Sequence, residues 1–314
     1  MSAHPHRRDA LDITVLGEAL VEFTQGTEDE GRVYRQGFGG DANTFAVAAA
    51  RQGARVAWIS AVGHDIHGEL LRDLWEREGI DQGAVRTDAD APTGICFVVP
   101  DENGHQLHEF RRGSAASRLQ PRDLPRVLIG RSKVLHLSGV SLGISTQACD
   151  TALAAIELAH AAGVRVSFDT NLRRQLWPLS RARAVMREVL RQCQIALPSF
   201  DDIVPITELE RPDAIVDHCL DLGAQVVALK LGTRGAIVAN ATERHHVRPH
   251  PCRPMDSSGA GDVFGGAFVA RLLAGDPLLA AGRYAAAAAA MSTQGHGTIE
   301  PIPRAAAVRK ALKP

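Results

Sequence analysis

The chain has 314 residues, 45% of them hydrophobic and 23% charged, the profile of a soluble globular protein with one α/β domain and a sizeable core. Lys and Arg total 35 against 36 Asp and Glu, a net charge of -1, so no basic excess is available to hold a phosphate polymer and nucleic acid is excluded as the main partner. Five scattered cysteines without a C-x-x-C pair, a polar stretch from Met1 to Arg8 with no apolar signal core, and an alanine run (Ala285 to Ala290) too short to span a bilayer lead us to expect a cytoplasmic protein with no membrane partner.

In chain order, β-branched runs at Ile13 to Leu16, Val56 to Ile59, Val134 to Leu137, Val164 to Phe168 and Val226 to Lys230 read as strands. Between them, Asn43 to Gln52, His67 to Glu78, Ser145 to Ala162 and Ser180 to Gln192 read as helices, several ending at a glycine (Gly53, Gly79, Gly163) suited to a left-handed cap. This alternation predicts crossover units and a mostly parallel sheet. Two segments break it, Glu18 to Phe38 and Thr93 to Arg112. The second holds an Asn-Gly hairpin signal in Asp101-Glu102-Asn103-Gly104. Both read as a small β appendage, a lid in one reading and a surface hairpin without a role in the other.

Past the fourth strand run, Phe168-Asp169-Thr170-Asn171-Leu172-Arg173 puts polar residues at a strand's carboxyl end, where α/β sheets bind ligands. Lys230 ends an apolar strand in a chain with only four lysines, and Gly232, Thr233 and Gly235 form the turn behind it. A solvated lysine in a hairpin turn is the plain alternative.

The most informative stretch is Asp256-Ser257-Ser258-Gly259-Ala260-Gly261-Asp262, which opens a helix whose Val263, Phe264, Ala267, Phe268 and Leu272 face a core and which Gly275 ends. Gly259, Ala260 and Gly261 present bare backbone N–H groups at a positive helix terminus, a ready anion site that a phosphoryl group can approach closely. Asp262 follows at once and can accept a proton from a nucleophilic hydroxyl, so positioning, charge stabilisation and a base come together. A lone Asp there would be a capping residue. Two acids and three small residues around one helix start favour phosphoryl transfer.

Residues 256–262 resemble the second signature of the ribokinase-like (PfkB) family, with Ser257 in a Thr slot. Gly39-Gly40-Asp41-Ala42-Asn43-Thr44 through Arg51-Gln52-Gly53 resembles the first; with the glycines aligned, the family Asn falls on Thr44 and Asn43 sits one residue early. The resemblance covers nearly the whole chain. It implies a ribokinase-like three-layer α/β/α kinase domain over 1–314, with a β lid at about 18–38 and 91–112. It implies Asp262 as base and Gly259, Ala260 and Gly261 as anion hole. Nucleotide contacts would come from Lys230, Gly232, Thr233, Gly235, Ser199 and Gly295, and sugar contacts from Gly39, Gly40, Asn43, Arg111, Asn171 and Arg173. ATP and Mg²⁺ follow, with a monovalent cation and a homodimer through the lid as further members of that set. The family's Asn-x-x-Glu falls on Ser199-Phe200-Asp201-Asp202, leaving the metal's protein contacts open.

Asp169-Thr170-Asn171-Leu172-Arg173 through Leu176-Trp177 resembles a pattern of 2-keto-3-deoxygluconate kinases, whose acidic substrate would be held by Arg111 and Arg173. Either arginine is also explained as an ordinary surface residue. Phe97 and Glu109 stand near slots where those kinases carry lid tyrosines, and an extra carboxylate at Glu109 keeps a fructokinase or other neutral-sugar kinase in play. A dinucleotide dehydrogenase is excluded because Leu16-Gly17-Glu18-Ala19 lacks Gly-x-Gly-x-x-Gly; Walker and Gly-x-Ser-x-Gly motifs are absent too. A sugar- or nucleotide-binding protein that has lost the chemistry is the remaining class, and the intact 259–262 stretch argues against it.

Overall fold

The computed structural model describes residues 11–26, 32–101 and 104–313. The Met1 to Arg8 reading and the hairpin residues Glu102 and Asn103 lie outside them. In chain order the elements are β1 (Leu11–Leu16), β2 (Leu20–Gln25), β3 (Tyr34–Gly39), α1 (Asp41–Arg51), β4 (Val56–Gly63), α2 (Ile66–Arg77), β5 (Asp81–Asp88), β6 (Ile95–Asp101) and β7 (Gly104–Phe110). Then come α3 (Arg126–Gly130), β8 (Ser132–Ser138), α4 (Gly139–Gly143), α5 (Thr146–Ala161), β9 (Arg165–Asp169), α6 (Leu179–Gln192), β10 (Ile195–Ala196), α7 (Phe200–Thr207) and α8 (Pro212–Asp221). The chain closes with β11 (Val226–Lys230), β12 (Ala236–Asn240), β13 (Arg244–Val247), α9 (Ala260–Leu273), α10 (Leu278–Ser292) and α11 (Ala305–Ala311).

Nine strands form one sheet in the order β13-β12-β11-β10-β9-β8-β1-β4-β5. From β5 to β11 all neighbours are parallel; β12 and β13 add an antiparallel edge. The four strands absent from the sequence reading are β5, β10, β12 and β13. β5 is a polar edge strand and β10 has two residues, so neither carries a long β-branched run.

Two cores flank the sheet, as a three-layer α/β/α fold requires. One joins Ile13, Val15 and Val134 to α1, α2, α9 and α10; the other joins Leu135, Leu137, Val166 and Phe168 to α5, α6 and α8. Helix ends follow local chemistry: Asp65 and Ser145 accept hydrogen bonds from Gly68 N and Ala148 N at the starts of α2 and α5, and Gly53, Gly79 and Gly163 stand at positive φ after α1, α2 and α5. Among the described residues no helix is long and apolar enough to cross a membrane, and all five cysteines are free.

A second sheet, in the order β3-β2-β6-β7, stands beside the carboxyl end of β1. Its β6–β7 pair is the hairpin expected around 101–104, with Asp101 opposite Gly104. Phe23, Tyr34, Phe97 and Phe110 share one face, where Phe97 contacts the other three; Phe110 is exposed. Glu22 and Glu109 stand on the opposite face, by the two-residue alternation of strands.

Candidate functional site

Strand alternation selects the side chains that reach the site. In β9, Val166 and Phe168 enter the core under α5 and α6, so Ser167 and Asp169 face the layer of α1 and α9; in β11, Val227 and Leu229 take the first side and Ala228 and Lys230 the second. Both charged residues sit at carboxyl ends of parallel strands, where open α/β sheets bind their ligands.

Two helix N-termini meet above them. The α1 and α9 backbones touch: a Cβ on Gly266 would lie 2.4 Å from the carbonyl oxygen of Phe45. At the start of α1, Gly40 has φ 96°, and a Cβ there would come within 2.5 Å of the Glu18 carbonyl oxygen. At the start of α9, Gly259 is the N-cap at φ 71° and ψ 0°, and a Cβ would crowd Thr44 and Thr298 at 3.1 and 3.2 Å. Left-handed backbone and lack of room both demand glycine at these two places. The chain then turns Ala260 and Gly261 into the first turn of α9, with Asp262 beside them.

Asp262 is half-buried. Burial, then the nearby carboxylates of Asp41 and Asp169, push its carboxyl well above the ordinary aspartate range, while Lys230 and Arg173 pull the other way. A carboxyl raised in this manner holds a proton more readily than an ordinary aspartate, as a proton acceptor must. Its Oδ1 accepts a hydrogen bond from Asn171 Nδ2 at 2.9 Å. Asn171 itself holds φ 27°, and its backbone N–H donates to Asp169 Oδ1 at 3.3 Å. Asp169 is ion-paired with Lys230. Burial also lifts Asp202 to about 6, helped by Asp169 and opposed by Arg173 and Lys230.

A cavity of about 710 Å³ opens beside the same helix start. Ala260 and Gly261 form part of its floor, Ser199, Lys230, Gly232, Thr233 and Gly235 one wall, and Ala286, Ala289 and Ala290 of α10 another. The alanines thus serve twice, packing α10 into the core and giving the cavity a flat, apolar side. Gly295, expected here, lies instead against Pro301, where a Cβ would meet the proline ring at 2.8 Å; Thr293 lines the cavity from that segment.

On the opposite flank, two expected sugar contacts are otherwise engaged. Asn43 is buried inside α1, donating to the Gly39 carbonyl at 3.3 Å and accepting from Trp75 Nε1 at 2.9 Å. The early register of that asparagine turns it into the core, and Thr44 faces Gly259 in its place. Arg111 is held by Glu18, at 2.6 Å from Nη2 and 2.7 Å from Nε, and by Glu109 at 3.0 Å from Nη1. Burial works against its charge, and Glu18 and Glu109 more than offset that. Its charge is already matched, so it is not a free carboxylate clamp. Asn171 also departs from the expectation, because its donor group points at Asp262.

The sequence reading missed Asp41 and Glu18. Both Asp41 oxygens and Asn171 Oδ1 are buried without a hydrogen-bond partner among the described residues. All three are acceptors, so only a donor group can satisfy them. The signal for Asp41 was in the chain: an acid directly after Gly39-Gly40, at the first position of a helix.

The family model for pfkB carbohydrate kinases matches residues 10–305. The chain belongs to the pfkB family of carbohydrate kinases. A 2-dehydro-3-deoxygluconokinase of Thermoproteus tenax is 32% identical over 306 residues, spanning 94% of this kinase and 93% of its own length. Fructokinase-1 of Zea mays is 28% identical over 324 residues, spanning 96% and 97%. A fructokinase of Vibrio cholerae, solved with fructose, ADP and calcium ion bound, superposes with a TM-score of 0.86 at 25% identity, over 97% of this kinase and all of that chain. The large parallel sheet, its flanking helices and the small second sheet are the ribokinase-like architecture expected from the sequence.

Proposed function

We propose that this kinase transfers the γ-phosphoryl group of ATP to the terminal hydroxyl of 2-keto-3-deoxygluconate. The observation that carries the reading is the placement of Asp262 directly after the bare turn at 259–261, whose Ala260 and Gly261 line the 710 Å³ cavity. ATP occupies that cavity, with its terminal phosphate at the start of α9. The acceptor lies between the second sheet, acting as a lid, and the strand ends. Gly39 and Gly40 allow its close approach, and Asp41 takes its hydroxyl groups. Asp262 removes the proton from the attacking hydroxyl, and the amides of Gly259, Ala260 and Gly261 stabilise charge on the moving phosphoryl group. Among the described residues no three metal-type side chains gather as a cage, so Mg²⁺ would enter on the nucleotide phosphates, where it neutralises their charge. Arg173 supplies the guanidinium for the acid group of the acceptor; it already acts electrostatically on both Asp262 and Asp202.

A neutral hexose such as fructose is the second reading, favoured by one observation: Arg111, one of the two arginines expected to hold a carboxylate, is matched by Glu18 and Glu109. Steady-state assays with ATP and each sugar decide between them. The first reading expects kcat/KM for 2-keto-3-deoxygluconate to exceed that for fructose by about tenfold or more, the worth of one hydrogen-bonded charge contact. A preference for fructose overturns the acid-sugar assignment and leaves the kinase chemistry standing.

The nucleotide site has its own test. Cys252 lines the cavity and is the one exposed cysteine of five. A thiol reagent is expected to modify a single cysteine quickly in the native protein, and saturating ATP to slow that reaction at least fivefold. Labelling at Cys252 that ATP leaves unchanged would move the nucleotide elsewhere.

A further inference from the structure

Beside the base lies a row of polar groups whose contacts with one another the transfer as described does not use. Lys230 and Asp169 form an ion pair that is almost wholly enclosed, with side-chain exposures of 9% and 3%. Buried pairs of this kind seldom gain stability over apolar residues of the same size. Their position is specific, however. The Lys230 ammonium sits 3.6 Å from where a Gly261 Cβ would be, directly behind the bare-amide turn. Asp169 accepts the Asn171 backbone N–H, and that contact accompanies an unusual left-handed φ of 27° at Asn171. The same asparagine then donates from its side chain to Asp262. A continuous chain of contacts thus runs from β11 through β9 to the carboxylate on α9. The neighbouring ring of His136 is held neutral by burial and then by Lys230 itself, so it adds no compensating charge.

We propose that Lys230, Asp169 and Asn171 act as one positioning unit that fixes the orientation and the charge environment of Asp262. The proposal rests on the kinase reading in which Asp262 is the base. None of the three is a catalytic residue in this scheme; they act through Asp262. Asn171 presents the second carboxylate oxygen to the substrate hydroxyl by holding the first. Asp169 holds the Asn171 backbone in its strained conformation. Lys230 balances Asp169, so that the acid row of Asp41, Asp169 and Asp262 carries one local cation besides Arg173. The charged groups facing Asp262 are Asp41 on α1, Asp169 at the end of β9, Arg173 on the following loop and Lys230 at the end of β11.

Opposite signs at Asp169 and Lys230 make the unit testable. Single-turnover rates with sugar and ATP saturating are measured across pH for Asp169→Asn, Lys230→Met, the double Asp169→Asn/Lys230→Met, Asn171→Ala and Asp262→Asn. Removing a like charge from beside Asp262 moves the acidic limb of the profile down, and removing the cation moves it up, each by roughly one pH unit. The neutral double variant returns the limb to within about 0.3 of wild type, and it also keeps the protein foldable if Lys230→Met alone is not. Asn171→Ala is expected to lower the rate about 10–100-fold with KM for both substrates within threefold, the signature of lost positioning. Limbs that stay in place, or that move the same way for both single neutralisations, overturn the proposal. So does a tenfold rise in KM for ATP in Lys230→Met with an unmoved limb, which would make Lys230 a nucleotide ligand. Failure of the kinase reading is separate: it would show as near-normal turnover in Asp262→Asn.

Discussion

Asp262→Asn is expected to lower kcat by about 10²–10⁴-fold, the usual contribution of a general base, with KM for ATP and sugar nearly unchanged. The proposed anion hole at 259–261 consists of backbone amides, so the substitution leaves it in place. The amide can still meet Asn171, so the local structure stays intact. The same change should make the protein more stable at pH 8. Burial and the carboxylates of Asp41 and Asp169 hold the folded-state pKa of Asp262 well above its unfolded value of 3.8. A carboxyl raised on folding destabilises the native state once pH exceeds the unfolded value, and the effect grows until pH passes the folded value. Thermal unfolding of the two proteins should therefore diverge at pH 8, with the variant more stable, and converge near pH 3.5. A threefold or smaller loss of kcat would remove Asp262 from the role of base.

Arg111→Ala is expected to cost about 3–5 kcal/mol of stability, the effect of stripping one partner from a buried ion pair. Glu18 is 1% exposed and takes two contacts from Arg111 and one from Ser114; without the guanidinium its charge is stranded. The pair also ties the segment between β1 and β2 to the end of β7, so the loss should loosen the second sheet against the main one. Denaturant unfolding measures this directly. A double Arg111→Met/Glu18→Gln variant should recover most of the loss, because the stranded charge goes too. If Arg111 were instead a clamp for an acidic sugar, Arg111→Ala would raise the sugar KM and leave stability within about 0.5 kcal/mol, as for a surface residue.

Much of the site was legible because its signals are local. The bare turn at 259–261 and its adjacent acid need only the helix start, and the helix start was visible in the apolar spacing of Val263, Phe264, Ala267 and Phe268. Gly232, Thr233 and Gly235 line the cavity because a turn after a strand must lie at the sheet's ligand-binding end. Residues whose roles depend on partners far along the chain were read less well. Nothing near Arg111 in the chain marks it as paired, because its partner Glu18 lies 93 residues earlier. Asn43 was assigned to the sugar side, but Trp75, 32 residues on, holds it in the core.

By itself the amino-acid sequence determined the class of fold and the chemistry: alternating strand and helix periods demand crossover units, and small residues ahead of an acid at a helix start demand an anion and a proton acceptor. Both are properties of neighbouring residues, set by backbone sterics and hydrogen-bonding needs that act within a few positions. Only the tertiary structure decided which charges are free. Whether a guanidinium, a carboxylate or an amide faces a ligand depends on what other segments bring against it, and burial makes pairing compulsory. Folding therefore committed Arg111 to Glu18 and Glu109, drew Lys230 and Asp169 together near Asp262, and left both Asp41 oxygens without a partner among the described residues.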